Sequence, residues 1–311
     1  MRFWLVRPCL LLLAAAAMAP CVWPQSVARR TSSPTDHLRI DANLVLVPVT
    51  VTDHKDRMVT GLRQSDFRVY DGATEQPVTQ FAEEDVPLSV GIVFDTSGSM
   101  RDKLWESKKA IAALAATANP EDQFFLVRFS GQPELAVPFA GDLKRLENAS
   151  WSAQPSGKTA LLDAICLALD YMRNARNPRK VMVIISDGGD NHSRYTRNEI
   201  RLRVRETDIA VYSIGIYDSA SQWLPEQERG GPGLLTRIAD ESGGRHFSVE
   251  RPGDIPELAA ALGRELHNQY VLGFRPSAAR RDGKYHRIQV KLRDGHGRHI
   301  YSRPGYYAAG Q

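Results

Sequence analysis

Five oxygen-bearing side chains in this 311-residue chain have types and spacing suited to chemistry: Asp95, Ser97 and Ser99 in FDTSGSM, Thr159 in SGKTAL and Asp187 in VIISDGGD. Each lies just past an apolar run or at the head of a helical one, so three distant segments can bring ligands to one point. Two carboxylates and three hydroxyls, with no His or Cys among them, form the donor set of a hard divalent cation. Magnesium is the first expectation, with manganese or calcium as alternatives. Two carboxylates only neutralise such an ion, which keeps enough Lewis acidity to attract a further anionic ligand from a partner.

The elements that must position these groups are legible in the apolar pattern. Leu88 to Phe94 and Val181 to Ile185 are near-continuous apolar runs, as in strands buried on both faces. Phe124 to Phe129, Ile209 to Ile216 and the short His246 to Val249 are further strands. Lys103 to Ala118, Leu161 to Met172, Thr196 to Glu206, Leu234 to Ser242 and Ile255 to Leu266 are helices in alternation with them. This order predicts an α/β fold with a doubly wound, mostly parallel, Rossmann-like sheet. Ligands on such sheets bind beyond the carboxyl ends of the strands, where Asp95 and Asp187 fall.

The flanks follow a different pattern. From Asn43 to Thr52 the residues alternate, with Val45, Val47, Val49 and Val51 on one face. A turn at DHKDR follows, then short strand candidates at Met58 to Val59, Phe67 to Tyr70 and Pro77 to Phe81, with Asp71-Gly72 as a hairpin signal. After Asn268 come Tyr270 to Phe274, His286 to Leu292 and Ile300 to Tyr307. Neither flank is large enough to bury a core alone, so the two are expected to pack as one β-sandwich into which the α/β region is inserted. The resulting division is a signal peptide (1–24), a linker (25–37), an N-terminal β region (38–86), the α/β domain (87–267) and a C-terminal β region (268–311).

Composition narrows the function classes. With 42% hydrophobic and 24% charged residues the chain is globular. Arg2 and Arg7 precede the apolar run Cys9 to Ala17 and then Ala17-Met18-Ala19, the pattern of an export signal, although Pro20 disfavours cleavage directly after Ala19. The run is too short to span a bilayer. The expectation is an exported protein, periplasmic, cell-surface or extracellular, with no integral membrane span after processing. Removing 1–24 takes away two arginines and no acid, so 40 basic residues become 38 against 36 acidic ones. No nucleic-acid partner is expected, because the Arg-rich RNEIRLRVRE (197–206) reads as the solvated side of a helix. Cys166 is then the single cysteine, which excludes an internal disulfide and a Cys-based zinc site and reads as a small core residue.

Several enzyme signatures fail on inspection. Ser-Gly-Lys-Thr at 156–159 imitates the end of a phosphate-binding loop, but position 152 is Ser where that loop needs Gly, and no apolar strand feeds it. Asp95-Thr96 continues with Ser97, where an aspartic protease would carry Gly. Neither Ser97 nor Ser99 sits in a G-x-S-x-G elbow, and no His follows as a defensible base. The chain is therefore read as a non-enzyme. Plainer roles also exist for the five residues: Ser99 with Asp102 matches a helix-cap pattern, Thr159 could cap a helix, and Asp187 before two glycines could be a turn residue.

Taken together, Asp95-Thr96-Ser97-Gly98-Ser99, Thr159 and Ser186-Asp187-Gly188 resemble the metal-ion-dependent adhesion site of the von Willebrand factor type A (VWA) domain, over roughly residues 87 to 267. The flanking runs VPVTVTDHKDRMVTGLRQSDFRVYDG, YVLGFRPS, DGKYHRIQV and RPGYY resemble a bacterial exported subfamily of acidobacterial type. The resemblance implies that Ser97 and Ser99 ligate the metal directly and Asp95 and Asp187 directly or through water. Thr159 would move closer when a partner's Glu or Asp completes the shell. Lys158 departs from the pattern, since relatives often carry a small residue there, and is read as greeting an acidic partner. The implied function is an exported, metal-dependent adhesion or scaffolding module, with a metal-assisted hydrolase or a metal-stapled envelope protein as alternatives. Gly188 to Tyr195 and Tyr217 to Gly233, the latter with Trp223, are the candidate selectivity loops.

Overall fold

Alternating valines form the first strand. The computed structural model describes residues 44–83, 86–217, 231–276 and 282–308, and for 231 and 232 the backbone alone. The expected signal peptide, the linker, Trp223 and most of the loop around it lie outside the described residues. Strand β1 (Val45–Asp53) buries Val47, Val49 and Val51, as its alternation requires. Its second half is buried on both faces: Thr50 and Thr52 are covered too, and the Thr50 hydroxyl accepts a hydrogen bond from Gln269 Nε2 at 2.9 Å. Strands β2 (Phe67–Asp71) and β3 (Thr74–Gln76) form the hairpin announced by Asp71-Gly72, with Gly72 in the left-handed region at φ 63°. β4 (Gln80–Glu83) begins after Pro77, so the strand expected at Pro77 to Phe81 starts later.

The α/β layer starts at β5 (Leu88–Asp95), all eight residues of which are buried. It continues through α1 (Leu104–Ala115), β6 (Gln123–Phe129), β7 (Pro133–Ala140), α2 (Leu143–Trp151), α3 (Leu161–Tyr171), β8 (Arg179–Ser186), α4 (Arg197–Arg205) and β9 (Ile209–Ile216). It closes with α5 (Gly231–Ser242), β10 (His246–Val249) and α6 (Ile255–His267). The strand order β10-β9-β8-β5-β6-β7 is parallel except for the edge strand β7, which runs antiparallel to β6. Successive β5 side chains serve opposite faces. Val90, Ile92 and Phe94 pack with α1 and α6, whereas Val93 packs with α3, α4 and α5. That two-sided burial is the doubly wound sheet expected from the apolar runs. β7 and α2 were not foreseen. PELAVPFA carries two prolines, which suit only an edge strand, and α2 buries just Leu146 and Ser150, too little to leave a helical signature.

Strands β11 (Tyr270–Phe274), β12 (Tyr285–Leu292), β13 (Arg298–Ser302) and β14 (Gly305–Tyr307) complete two antiparallel sheets, β13-β1-β11-β4 and β14-β12-β2-β3. Both sheets mix the two flanks: β1 pairs with β11 from Val45↔Phe274 to Val49↔Tyr270, and β2 pairs with β12. One core, including Val47, Val69, Leu272, Phe274 and Val290, lies between them. The single strand expected from Ile300 to Tyr307 is two strands in different sheets. Pro304 lacks an N–H for the ladder, and the chain crosses from one sheet to the other there.

The described residues, all within Asp41–Gln311, form one compact unit, joined internally by a polar contact. Arg245, just ahead of β10, pairs with Glu265 of α6 at 2.6 Å and with Asp56 of the β1–β2 turn at 3.3 Å. Its guanidinium lies 4.4 Å from the ring centre of Tyr301 in β13. Gln269 donates to both Thr50 and the Tyr212 hydroxyl across the same joint.

Candidate metal centre

The last residue of β5, Asp95, is completely buried, and both its carboxylate oxygens are engaged. Oδ1 accepts the Ser97 backbone N–H at 2.9 Å and Oδ2 accepts the Ser186 hydroxyl at 2.6 Å. Ser186 is the last residue of the adjacent strand β8, so two neighbouring strand ends are tied together at their carboxyl termini. Thr96 anchors the turn to β6 by giving its N–H and hydroxyl to the Phe129 carbonyl at 2.8 and 2.9 Å. The chain then enters a short 3-10 turn, Gly98–Met100, which brings the Ser97 and Ser99 hydroxyl oxygens to 3.1 Å from one another. The helix-cap reading of Ser99 fails: α1 begins after Lys103, with no side-chain cap.

Thr159 is delivered by the loop leading into α3. The Ser156 N–H reaches the Thr96 carbonyl at 2.9 Å, and the Gly98 N–H reaches the Gly157 carbonyl at 3.2 Å. These bonds lay the two loops side by side. Gly157 makes the turn in the left-handed region at φ 75°. Thr159 is 5% exposed, and its backbone is held by Asn191, whose Oδ1 accepts its N–H at 3.0 Å. The cap position of α3 belongs to Ala160, without a side-chain cap, so the Thr159 hydroxyl is not used for capping either.

Asp187, directly after β8, does serve as a turn residue, accepting the Gly189 N–H on Oδ1 at 3.2 Å. Its Oδ2 lies 3.5 Å from the ammonium of Lys103. Burial, reinforced by the negative charge of Asp187, pushes the Asp95 carboxyl up to about 7. A second carboxylate beside a buried one is costly unless a cation lies between them, and Lys103 reaches only Asp187. Among the described residues no three of His, Cys, Asp and Glu cluster in a metal-binding group. Two carboxylates and three hydroxyls free of capping duty instead match the oxygen preference of magnesium. Asp95 and Ser97 are buried while Ser99 is exposed, so this cluster is open to solvent on one side.

Sequence reasoning had no way to assign several supporting groups. Ser186 was visible beside Asp187, but its hydroxyl bond to Asp95 depends on strand adjacency. Asp190 and Asn191 are drawn inward to hold the start of α3, the former by accepting the Leu161 N–H at 3.0 Å. The segment expected to supply selectivity thus spends part of its polar side chains as a brace. Lys158, the basic residue singled out from the sequence, is exposed, and the ammonium that reaches Asp187 is that of Lys103.

Residues 90–189 match the sequence profile of the von Willebrand factor type A domain. The α/β layer has the VWA fold. The chain is 26% identical over 172 residues to inter-alpha-trypsin inhibitor heavy chain H4 of Sus scrofa, covering 50% of this chain and 19% of that protein. It is 25% identical over 191 residues to an uncharacterized protein of Borreliella burgdorferi, covering 53% of this chain and 55% of that one. The chain thus spans about a fifth of the length of the heavy chain it matches. A solved von Willebrand factor type A structure from Catenulispora acidiphila superposes with a TM-score of 0.51 at 14% identity, over 88% of this chain and 75% of that one. That likeness extends past the VWA domain into the flanking sheets. No helix of the described residues is long and apolar enough to cross a membrane.

Proposed function

We propose that this protein is an exported protein-binding module whose VWA domain holds a magnesium ion and offers it to a carboxylate of a partner protein. The observation that carries this reading is the pairing of buried Asp95 with Asp187 beside three hydroxyls that cap no helix. In it, Ser97, Ser99, Thr159, Asp95 and Asp187 hold the ion, directly or through water, and the ion supplies Lewis acidity toward an incoming carboxylate. The chain's own contribution is rigidity. Ser186 fixes the Asp95 carboxylate, Gly189 turns Asp187 inward, and Asn191 holds the Thr159 backbone, so the donors are arranged before any ligand arrives. Exposed Lys158 and Arg101 outnumber the exposed Asp102 on the loops beside the cluster, a net positive character that favours an acidic partner.

Calorimetry with Mg²⁺ on the wild type, Asp95→Ala and Thr159→Ala tests the reading. Asp95→Ala abolishes binding, and Thr159→Ala retains most of it while weakening a carboxylate-bearing partner. Equal Mg²⁺ affinity in the wild type and Asp95→Ala refutes the ligand set. A partner pull-down made with and without chelator separates this module from a purely structural metal staple, which would show a metal-dependent melting temperature and no captured partner.

A further inference from the structure

Trp105 and Trp151 are 61% and 37% exposed, two of the five large hydrophobic side chains left in solvent among the described residues. They are not scattered. Their ring centres lie 4.8 Å apart at 73°, an edge-to-face pair between the first turn of α1 and the last residue of α2. Neither ring is needed for the core, since α2 is seated by Leu146 and Ser150 and α1 by Leu104, Ile111 and Leu114. The backbone beneath the pair is nevertheless tied down. The ammonium of Lys108 donates to the carbonyls of Trp151 and Ala153 at 3.0 and 2.8 Å and lies 5.9 Å from the Trp151 ring centre. Arg128 grips the same helix end through the Ala149 carbonyl at 2.9 Å. Rigid, solvent-facing aromatic pairs of this kind are typical anchors of protein interfaces, because little side-chain entropy is lost when they are covered.

The pair adjoins the metal centre. Trp105 is six residues beyond Ser99 across a 3-10 turn and the start of α1, about 9 to 12 Å at rises of about 1.5 to 2.0 Å per residue. The chain leaving Trp151 runs to Ser156 and Gly157, which are bonded to Thr96 and Gly98. Arg101 and Lys158, on these same two loops, are exposed, form no ion pair among the described residues and outnumber the exposed Asp102 beside Arg101, so the ground around the pair carries a net positive charge. We propose that Trp105 and Trp151 seat an apolar side chain of the same acidic partner segment whose carboxylate reaches the metal. An extended strand advances about 3.3 Å per residue, so the apolar residue stands about three residues from the acid. The inference rests on the proposed metal–carboxylate function and adds the partner's pattern: an extended segment carrying one Asp or Glu and one aliphatic or aromatic residue at that spacing.

The test uses the full chain with Mg²⁺ and synthetic Ser/Gly peptides. One peptide carries a single Glu, and the others add a Leu at each of several distances from that Glu. Fluorescence anisotropy of labelled peptides reads the affinity. The expected result is a gain of about tenfold at a spacing of about three residues over the Glu-only peptide, abolished by EDTA. Trp105→Ala, and Trp151→Phe as a milder variant that preserves packing on Lys108, remove or reduce that gain and leave calorimetric Mg²⁺ affinity unchanged. Absence of any spacing preference, or a gain that survives Trp105→Ala, overturns the proposal. If the Glu-only peptide still binds in a Mg²⁺-dependent manner, the metal–carboxylate function stands while the tryptophan inference falls; if Mg²⁺ itself gives no heat, both fall. Self-association that disappears in Trp105→Ala assigns the pair to contact between copies of the chain and likewise overturns it.

Discussion

Buried acids occur at both ends of the central sheet, and the two ends treat them differently. At the amino-terminal edge, Glu265 meets Arg245 at 2.6 Å, and Arg245 is itself flanked by Asp56 and the Tyr301 ring. At the carboxyl-terminal edge, Asp95 has only hydroxyl and amide donors, and the nearest charge acting on it is the like charge of Asp187. Burial raises both acids' proton affinity, but only Glu265 is offset by a cation of the chain. An acid matched from within joins two parts of the molecule, whereas an acid left unmatched points to a ligand from outside.

The largest effect that bears on this comparison concerns the joint as a whole. A fragment 38–86 is expected not to fold, because its strands pair with β11, β12 and β13, whereas 87–267 is expected to fold alone; a cooperative thermal transition in 38–86 would remove the shared-sandwich account. Next, Arg245→Ala leaves Glu265 buried without its cation and should cost about 3–5 kcal/mol by urea unfolding. Asp95→Asn should leave the fold intact and lower Mg²⁺ affinity by about a hundredfold, read by calorimetry.

The pH response carries the sign of the same contrast. Because Asp95 in the fold titrates near 7, above its ordinary value of 3.8, the metal-free protein keeps that contribution to stability below about pH 4 and loses it as pH rises toward 7. Chemical unfolding at several pH values should show this slope without metal, and show it reduced in Asp95→Asn. Glu265 titrates in the same direction, so the difference between the two proteins is the informative quantity. Smallest of all, Lys103→Gln removes a competing ammonium 3.5 Å from Asp187 and should raise Mg²⁺ affinity by a few-fold, about threefold to tenfold, while lowering the metal-free melting temperature. A fall in affinity instead would make Lys103 a support for Asp187 rather than a competitor.

Much of the scaffold was legible because burial on two faces leaves uninterrupted apolar runs. β5, β8 and β9 could be bounded within one or two residues on that ground alone. β7 and α2 were not, since an edge strand tolerates Pro133 and Pro138 and a short helix needs only Leu146 for its seat. The five proposed ligands were readable as residue types at strand ends. Lys103, Ser186, Asp190 and Asn191 were not, because nothing along the chain says which side chains meet when loops from β5, α3 and β8 are laid together.

Local chemistry therefore decided which segments become strands and helices and which oxygen donors stand at their ends, because periodicity and residue type act over a few neighbours. Folding in three dimensions decided the rest. It fused the two flanks into one sandwich, split the chain at Pro304 between two sheets, and buried Asp95 beside Asp187 while handing Glu265 an arginine. Those outcomes turn on contacts between residues tens to hundreds of positions apart, for which the order of amino acids holds no short-range signal.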